Sequence, residues 1–534
     1  LKSIFITIGF VLLGSRAFAQ ATKKGPSPQI NQTYLNLMKP IDIFSPPPDA
    51  KKLLSLKDLY TLVRTQGVTL KVAAEDLNQA KQAQRRYKDS FLPTLNLSLS
   101  NKNDWNESKQ DSDLTDDYQD RDGTTKSKSN NQSLGLNLSG ILIPGIDYSI
   151  SGPAYSRSKA DPETNNSNPR RPETAGWSGS LGMELLKDSP LFVQSLRTQK
   201  DKLEYSLAKE NFRASTLAAL YSAEVAFYGL IKNYLSLVVT QRSNELAKSL
   251  ENEVKEKIAA GESSEIDAMR ASLQSSTSET ELMSSQIEYE RAVEEFRNSL
   301  SYEGGESAGI YPDPKAIDID LSKLVLPSLS EVGDYQKQNP DVIRARISEQ
   351  AAQVSLDLAK KATLPSLKLS AEYRNSSPGE RWQETIGESI KPNDRNYSVG
   401  LTYSQNIYNN PASNDLRDQA VAKQKSVLAI DRSEKEVIKT FNSLLKRLEI
   451  GTRRLNIATT SRILAEKKLQ SEFEKFKYGE SSVRDVIDSQ TEVNSSRITE
   501  INARIDVILG HSELRTLAGK FPPGVTMSQP RGVP

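Results

Sequence analysis

The chain has 534 residues, of which 36% are hydrophobic and 26% charged, a lean composition for compact cores that suits long, slender helices. The 70 Lys+Arg against 68 Asp+Glu leave a formal charge of +2, so nothing points to nucleic acid or another polyanion as partner. The absence of cysteine excludes disulfides, thiolate metal sites and a lipidated N-terminal cysteine.

The opening LKSIFITIGFVLLGSRAFAQA reads as a secretory signal peptide over residues 1–19. It has one Lys, an apolar run from Ile4 to Leu13 too short to span a bilayer, and small residues at Ala17 and Ala19 before a cleavage expected ahead of Gln20. Residues 20–52, with Pro46-Pro47-Pro48, read as an extended periplasmic leader. No later unbroken apolar run is long enough for a transmembrane helix, which leaves a β-barrel or peripheral attachment.

From Leu53 onward the chain reads as a tandem repeat. FLPTLNLSLS (Phe91 to Ser100) matches TLPSLKLSAE (Thr363 to Glu372) at an offset of 272, whereas Gly182 over Gly400 and Gly261 over Gly479 give 218. The first copy therefore carries 54 extra residues between its first strand and its long helix. The expected boundaries are a first repeat over 53–301, a linker over 302–340, a second repeat over 341–519 and a disordered tail over 520–534.

Within each copy the short segments alternate with period two. Leu95, Leu97 and Leu99 oppose Asn96, Ser98 and Ser100; Trp177, Leu181, Met183 and Leu185 oppose Ser178, Ser180 and Glu184. In the second copy Leu367, Leu369, Ala371 and Tyr373, then Tyr397, Val399, Leu401 and Tyr403, repeat the pattern. In an exported chain such strands suit a barrel with lipid outside and water inside, although a soluble sheet alternates too. The inserted stretch adds Leu134, Leu136 and Leu138, then Ile146, Tyr148 and Ile150, joined at Pro144-Gly145. This hairpin, about residues 131–153, either joins the barrel or decorates its outside. The loops on its flanks are long and polar; Asp111, Asp113, Asp116 and Asp117 are expected to be solvated rather than a calcium site, because no glycine-centred ligand loop surrounds them.

Two long helices follow, Leu191 to Ala260 and Ala412 to Tyr478, each without Pro and each roughly 100 Å long at helical rise. Val437, Phe441, Leu444, Leu448 and Leu455 follow coiled-coil spacing. Both helices end in the same turn: AAGESSEIDAMR (Ala259 to Arg270) and KYGESSVRDVIDSQ (Lys477 to Gln490). Gly supplies the left-handed conformation that ends a helix, and Ser263, Ser264, Ser481 and Ser482 suit N-caps, with Glu265 or Asp485 near the positive ends. Asp485, Asp488 and Glu492 then share one helix face. The lone His511 and Gly304-Gly305 offer no catalytic motif.

Taken in order, LPTLNL, LPSLKL, NPDVIRARISEQ, YGESSVRDVIDSQTEV and ARIDVILGHSELRTLAG make the chain from about Leu53 to Gly519 resemble the TolC-like outer-membrane efflux family, the outer membrane factors. The resemblance implies an α+β membrane protein in which a trimeric outer-membrane β-barrel is continuous with a long periplasmic α-helical coiled-coil barrel. It implies a homotrimer set in outer-membrane lipid, docking a periplasmic adaptor and an inner-membrane pump, with no cofactor, metal or nucleic acid. Family members usually contribute four strands per protomer; the extra hairpin here would give six, and eighteen per trimer. By the same resemblance Gly261, Glu262, Gly479 and Glu480 are adaptor-contact tips, and Asp485, Asp488 and Glu492 form acidic rings at the entrance. The family's closed tip is linked from a Tyr and an Arg to an Asp, here Asp267, but the partner positions fall on Phe476 and Ser481, so those links cannot form. Arg270 and Arg484 are the nearby substitutes, expected to pair with Asp267 or Asp485. The expected function is a passive exit duct for efflux or type I secretion, not an enzyme. The alternatives are a structural periplasmic coiled coil without a channel, or an autonomous porin or adhesin.

Overall fold

A computed structural model describes residues 46–47, 50, 52–89, 91–109, 124–142, 145–160, 173–187, 189–300, 310–318, 326–391, 394–407 and 411–525. The expected signal peptide, the expected leader up to residue 45, Asp111, Asp113, Asp116, Asp117, Pro144, Gly304-Gly305 and residues 526–534 of the expected tail lie outside the described residues. The chain divides into two compact units.

The larger unit holds an antiparallel sheet in which, among the described residues, six strands lie in the order β2 (Thr94–Lys109), β3 (Thr124–Leu142), β4 (Ile146–Ala160), β5 (Glu173–Glu184), β7 (Ser366–Gly379) and β8 (Asp394–Ser404). The inserted hairpin is β3 and β4, so it joins the sheet rather than decorating it. Register turns the sequence alternation into two faces. Leu95 pairs with Leu138, Leu138 with Ile150, Ile150 with Gly179, Gly179 with Tyr373, and Tyr373 with Tyr397. The neighbouring polar row runs Thr94, Ser139, Ser149, Ser180, Glu372, Ser398. Over much of its extent the apolar face is exposed: Tyr397 is 85% and Val399 76% exposed. Where β4 bulges between Ser151 and Ala154, Gly152 takes φ +148°, and a Cβ there would come within 2.5 Å of the Trp177 ring, so only glycine fits this close approach.

Trp382–Ser389 of the β7–β8 connection forms a short helix that the sequence pattern did not indicate. It packs on the apolar face. Asn375, in the alternation of Leu369 and Tyr373, donates to the carbonyls of Ser389 and Lys391 at 2.9 and 3.0 Å, and Thr385 packs against Gly379.

The helices of this unit are α1 (Leu56–Gln66), α2 (Val68–Asp89), α5 (Val332–Gln338), α6 (Pro340–Ala362), the short helix α7, and parts of the long α3 (Pro190–Ala259), α4 (Glu265–Ser299), α8 (Pro411–Lys477) and α9 (Val483–Leu517). Phe441, Leu444 and Leu448 of α8 pack with Val507 and Leu514 of α9, and Tyr335 of α5 lies 4.7 Å from Phe441 ring to ring. All five positions of the coiled-coil stripe, Val437 to Leu455, are buried. α3 has one window of mean hydropathy 1.3, long and apolar enough to cross a membrane, and half of it is buried. Leu220, Phe227, Leu230 and Leu235 share one broad face of it and enter the core.

The stretch expected as linker carries structure of its own: β6 (Ile310–Pro312) pairs in parallel with β1 (Lys52–Leu54), followed by a 3-10 turn over Pro314–Ile317. NPDV opens α6, with Asn339 accepting from the amides of Asp341 and Val342 and Pro340 in the first turn. The Asn339 amide donates to Leu517 O at 2.9 Å, and Arg213 donates to Gly519 O at 2.8 Å. Two motifs far apart in sequence therefore close on each other.

One buried polar cluster joins α1, α3 and α9. The Tyr60 hydroxyl donates to Glu224 at 2.5 Å, and Arg515 pairs with the same carboxylate; Glu224 is 1% exposed. Burial and then the Glu224 charge push the Tyr60 phenol far above its ordinary range; burial and Glu224 do the same to Tyr228. A raised folded-state pKa means stability is whole below the unfolded value, about 10, and falls as pH rises beyond it. Thermal unfolding from about pH 7 to about pH 11 should show that decline, and Tyr60→Phe with Tyr228→Phe should flatten it. Arg515→Met should cost about 3–5 kcal/mol by leaving Glu224 buried and uncompensated, and Glu224→Gln in the same chain should recover part of it.

Candidate functional site at the paired turns

The smaller unit contains residues 233–289 and 457–501, and with them both GESS turns. The turns match bond for bond. Gly261 and Gly479 take φ of +78° and +75°. Gly261 N donates to Ile258 O and Glu262 N to Lys257 O at 2.9 and 2.8 Å; Gly479 N donates to Phe476 O and Glu480 N to Lys475 O at 3.2 and 2.9 Å. These are Schellman terminations, which need the left-handed glycine. No atom lies within 4 Å of a Cβ built at either glycine, so backbone conformation and not space fixes the residue. The tips, Gly261, Glu262, Gly479 and Glu480, are exposed.

The returning helices are capped by the second serine of each turn. Ser264 Oγ accepts from Asp267 N at 3.2 Å and donates to Asp267 Oδ2 at 2.7 Å. Ser482 and Asp485 repeat both distances, and Ser482 N also reaches Asp485 at 3.3 Å. This is a capping box with Asp in the acidic role. Ser263 and Ser481 do not cap; Ser481 instead donates to Glu472 at 2.8 Å. The hydroxyl and amide of Ser482 hold the Asp485 carboxyl below its usual range.

The acids expected at an entrance share the exposed face of α9, but each has a partner within the chain. Asp485 is taken by the cap, Asp488 lies 3.7 Å from Arg484, and Glu492 lies 2.7 Å from Lys468 of α8. The expected charge links are half realised. Arg270 pairs with Asp267 at 3.4 Å, while Arg484 turns to Asp488, one helical turn ahead, rather than to Asp267 or Asp485. The four helix ends share a core of Leu250, Val254, Ala271, Phe473, Phe476 and Val486. Phe476 does not lack a link: Lys257 places its ammonium 3.9 Å from the ring centroid and donates to Phe476 O at 2.8 Å, a cation–π contact reinforced by a hydrogen bond. Above it, Arg462, Glu466, Arg497 and Glu500 form a half-buried ion network between α8 and α9. Sequence reasoning missed Lys257 and Lys468; only their nearly equal distance from a turn glycine to their partners' helix could have signalled them. His511 is half-buried, its pKa lowered by that burial, and among the described residues no metal-ligating cluster forms.

The fold is that of outer-membrane efflux channels, a class of ducts and not of enzymes. Over 88% of its length the chain superposes on 87% of the CmeC outer membrane channel of Campylobacter jejuni, with a TM-score of 0.64 at 14% identity. Residues 332–520 match the family described as outer membrane efflux protein. The outer membrane protein TolC of Vibrio cholerae is 28% identical over 189 residues, 34% of this chain and 42% of that protein. The TolC of Escherichia coli K12 is 20% identical over 310 residues, 56% of this chain and 61% of that protein. The chain thus spans less than two thirds of either curated relative. In sequence the chain is similar to TolC-like outer-membrane factors over part of its length, and over most of its length it shares the fold of such channels.

Ser264→Ala and Ser482→Ala should each cost about 1 kcal/mol of helix-end stability. Amide exchange should speed up at the first turn of α4 and α9 respectively, with the Phe441 core unaffected; equal exchange in both variants and the parent would contradict the capping assignment.

Proposed function

We propose that the chain is the passive exit duct of a tripartite efflux or type I secretion system, carrying substrate from an inner-membrane pump across periplasm and outer membrane as a homotrimer. The observation that carries this reading is the sheet: one largely exposed apolar face and two edges, β2 and β8, that have no outer partner among the described residues. In hydrocarbon such edges must be paired. Six strands is an even number, so β8 of one copy can continue the antiparallel order at β2 of the next, and three copies give eighteen strands around a water-filled lumen. A six-stranded sheet with an apolar face has no role in a channel-less coiled coil.

The helices support the same assembly. On α4, Ile266, Met269, Leu273, Met283 and Ile287 are exposed, and with Ser276 and Thr280 they fill an unbroken heptad pattern. On α8, Ile457 and Leu464 are exposed one heptad apart. These seams suit a neighbouring copy. The exposed tips Gly261, Glu262, Gly479 and Glu480 are the proposed adaptor contacts, and the proposed closure rests on Lys257 of α3 over Phe476 of α8; Arg270 pairs with Asp267 along a single helix and by itself joins no two elements. The pump supplies the energy.

At the entrance, three acids (Asp485, Asp488, Glu492) face two bases (Arg484, Lys468), an excess of one negative charge per chain. The duct should therefore prefer cations weakly. In planar bilayers, Asp485→Asn with Asp488→Asn changes that balance from one negative to one positive charge per chain, and the preference should reverse toward anions. An unchanged preference would remove these carboxylates from the entrance; absence of any pore from folded, heat-modifiable trimer would contradict the duct.

A further inference from the structure

We propose that the cleft between α7 and strands β2–β4 is a binding site for an acyl chain of an outer-leaflet lipid, with α7 as its lid. The proposal rests on the outer-membrane reading above and adds a site to it. α7 is anchored over β5 and β7 through Asn375, Thr385 and Ser389, and its Trp382 and Ile386 overhang toward β2 and β3. Beneath them lies a cavity of about 630 Å³ lined by Leu99, Gln132, Leu134, Tyr155, Trp382 and Ile386.

The side chains that form its floor belong to the apolar face. Leu99 pairs with Leu134, and Leu134 with Tyr155; the next row along the same face is Leu97 with Leu136, and the next Leu95 with Leu138. The cleft is therefore continuous with the lipid-facing rows and opens along the strands onto them. Tyr155 stands as its wall, opposite Ala175 across the β4–β5 ladder and one pleat from the Arg157–Glu173 pair, 3.7 Å apart, whose Glu173 is buried. The lid has the stripe of an interfacial helix: Trp382, Ile386 and Ile390 recur at four-residue steps, and Trp382 and Ile390 are 57% and 71% exposed. A soluble occupant would leave this stripe in water, whereas an acyl chain buries it together with the floor.

Trp382 is the reporter. The full chain, with Trp105→Phe and Trp177→Phe, is reconstituted as folded trimer in vesicles of phosphatidylcholine dibrominated near the head-group end of its acyl chains, and in unbrominated vesicles. A second chain with all three tryptophans replaced and Tyr397→Trp reports on the exposed apolar face. The expected result is loss of Trp382 emission in the brominated vesicles, and recovery of that emission when Leu134→Glu places a charge on the cleft floor. Quenching at residue 397 without quenching at Trp382 would overturn the site and leave the outer-membrane reading standing. Trp382 quenching that persists in Leu134→Glu would overturn it too, since α7 would then touch lipid without the cleft holding any. Quenching at neither position would overturn the site together with the reading on which it rests.

Discussion

A β-ladder in hydrocarbon cannot end. Every unpaired backbone group costs several kcal/mol there, and among the described residues this chain leaves two edges, β2 and β8, unpaired on a sheet whose apolar face is largely exposed. That demand orders the rest of the molecule. In the proposed duct other copies meet that demand, the even strand number becomes meaningful, and the inserted hairpin gains a consequence, since adding two strands keeps the alternation intact where one would break it. Register also decides which face each residue takes, because a shift of one residue would turn the leucine rows onto the opposite, polar face.

The second constraint is the helix end. Helices of 70 and 67 residues leave their last carbonyls and their successors' first amides exposed at the turn, and the chain satisfies both ends of both turns with the same four residues. Gly closes the outgoing helix, and the second Ser with an Asp three residues on opens the returning one. The charged side chains nearby are largely consumed in pairs, Arg484 with Asp488 and Lys468 with Glu492, so the tip carries less net charge than its acids alone suggest. Lys257 on Phe476 supplies a link that a Tyr hydroxyl cannot make here.

Period-two alternation made the strands legible, because the alternating apolar positions of one strand meet those of the next across the ladder, as Leu95 meets Leu138 and Leu181 meets Tyr148 and Ala371. The helix ends were legible through glycine. Which serine caps was not, since Ser263 and Ser264 are equivalent in pattern and only the position of the helix start separates them. Arg484 was misassigned because its partner at one turn's distance competes with more distant acids, and proximity within the helix wins. The short helix over Trp382–Ser389 is too brief to show a period, and the pairing of β1 with β6 joins segments whose sequences carry no mutual signal. The buried Glu224, Tyr60 and Arg515 were likewise invisible, because three separate helices must converge before their charges meet.

The central claim is that β8 of one copy completes the sheet of the next. The chain has no cysteine, so single cysteines scanned along β2 and β8 can be paired on a clean background and oxidised in the membrane. The account predicts disulfide-linked species that run to covalent trimer on a denaturing gel, at β2–β8 pairs stepping in antiparallel register. Disulfides that form only within one chain, closing its six strands on themselves, would contradict it, as would the absence of any β2–β8 link in folded protein.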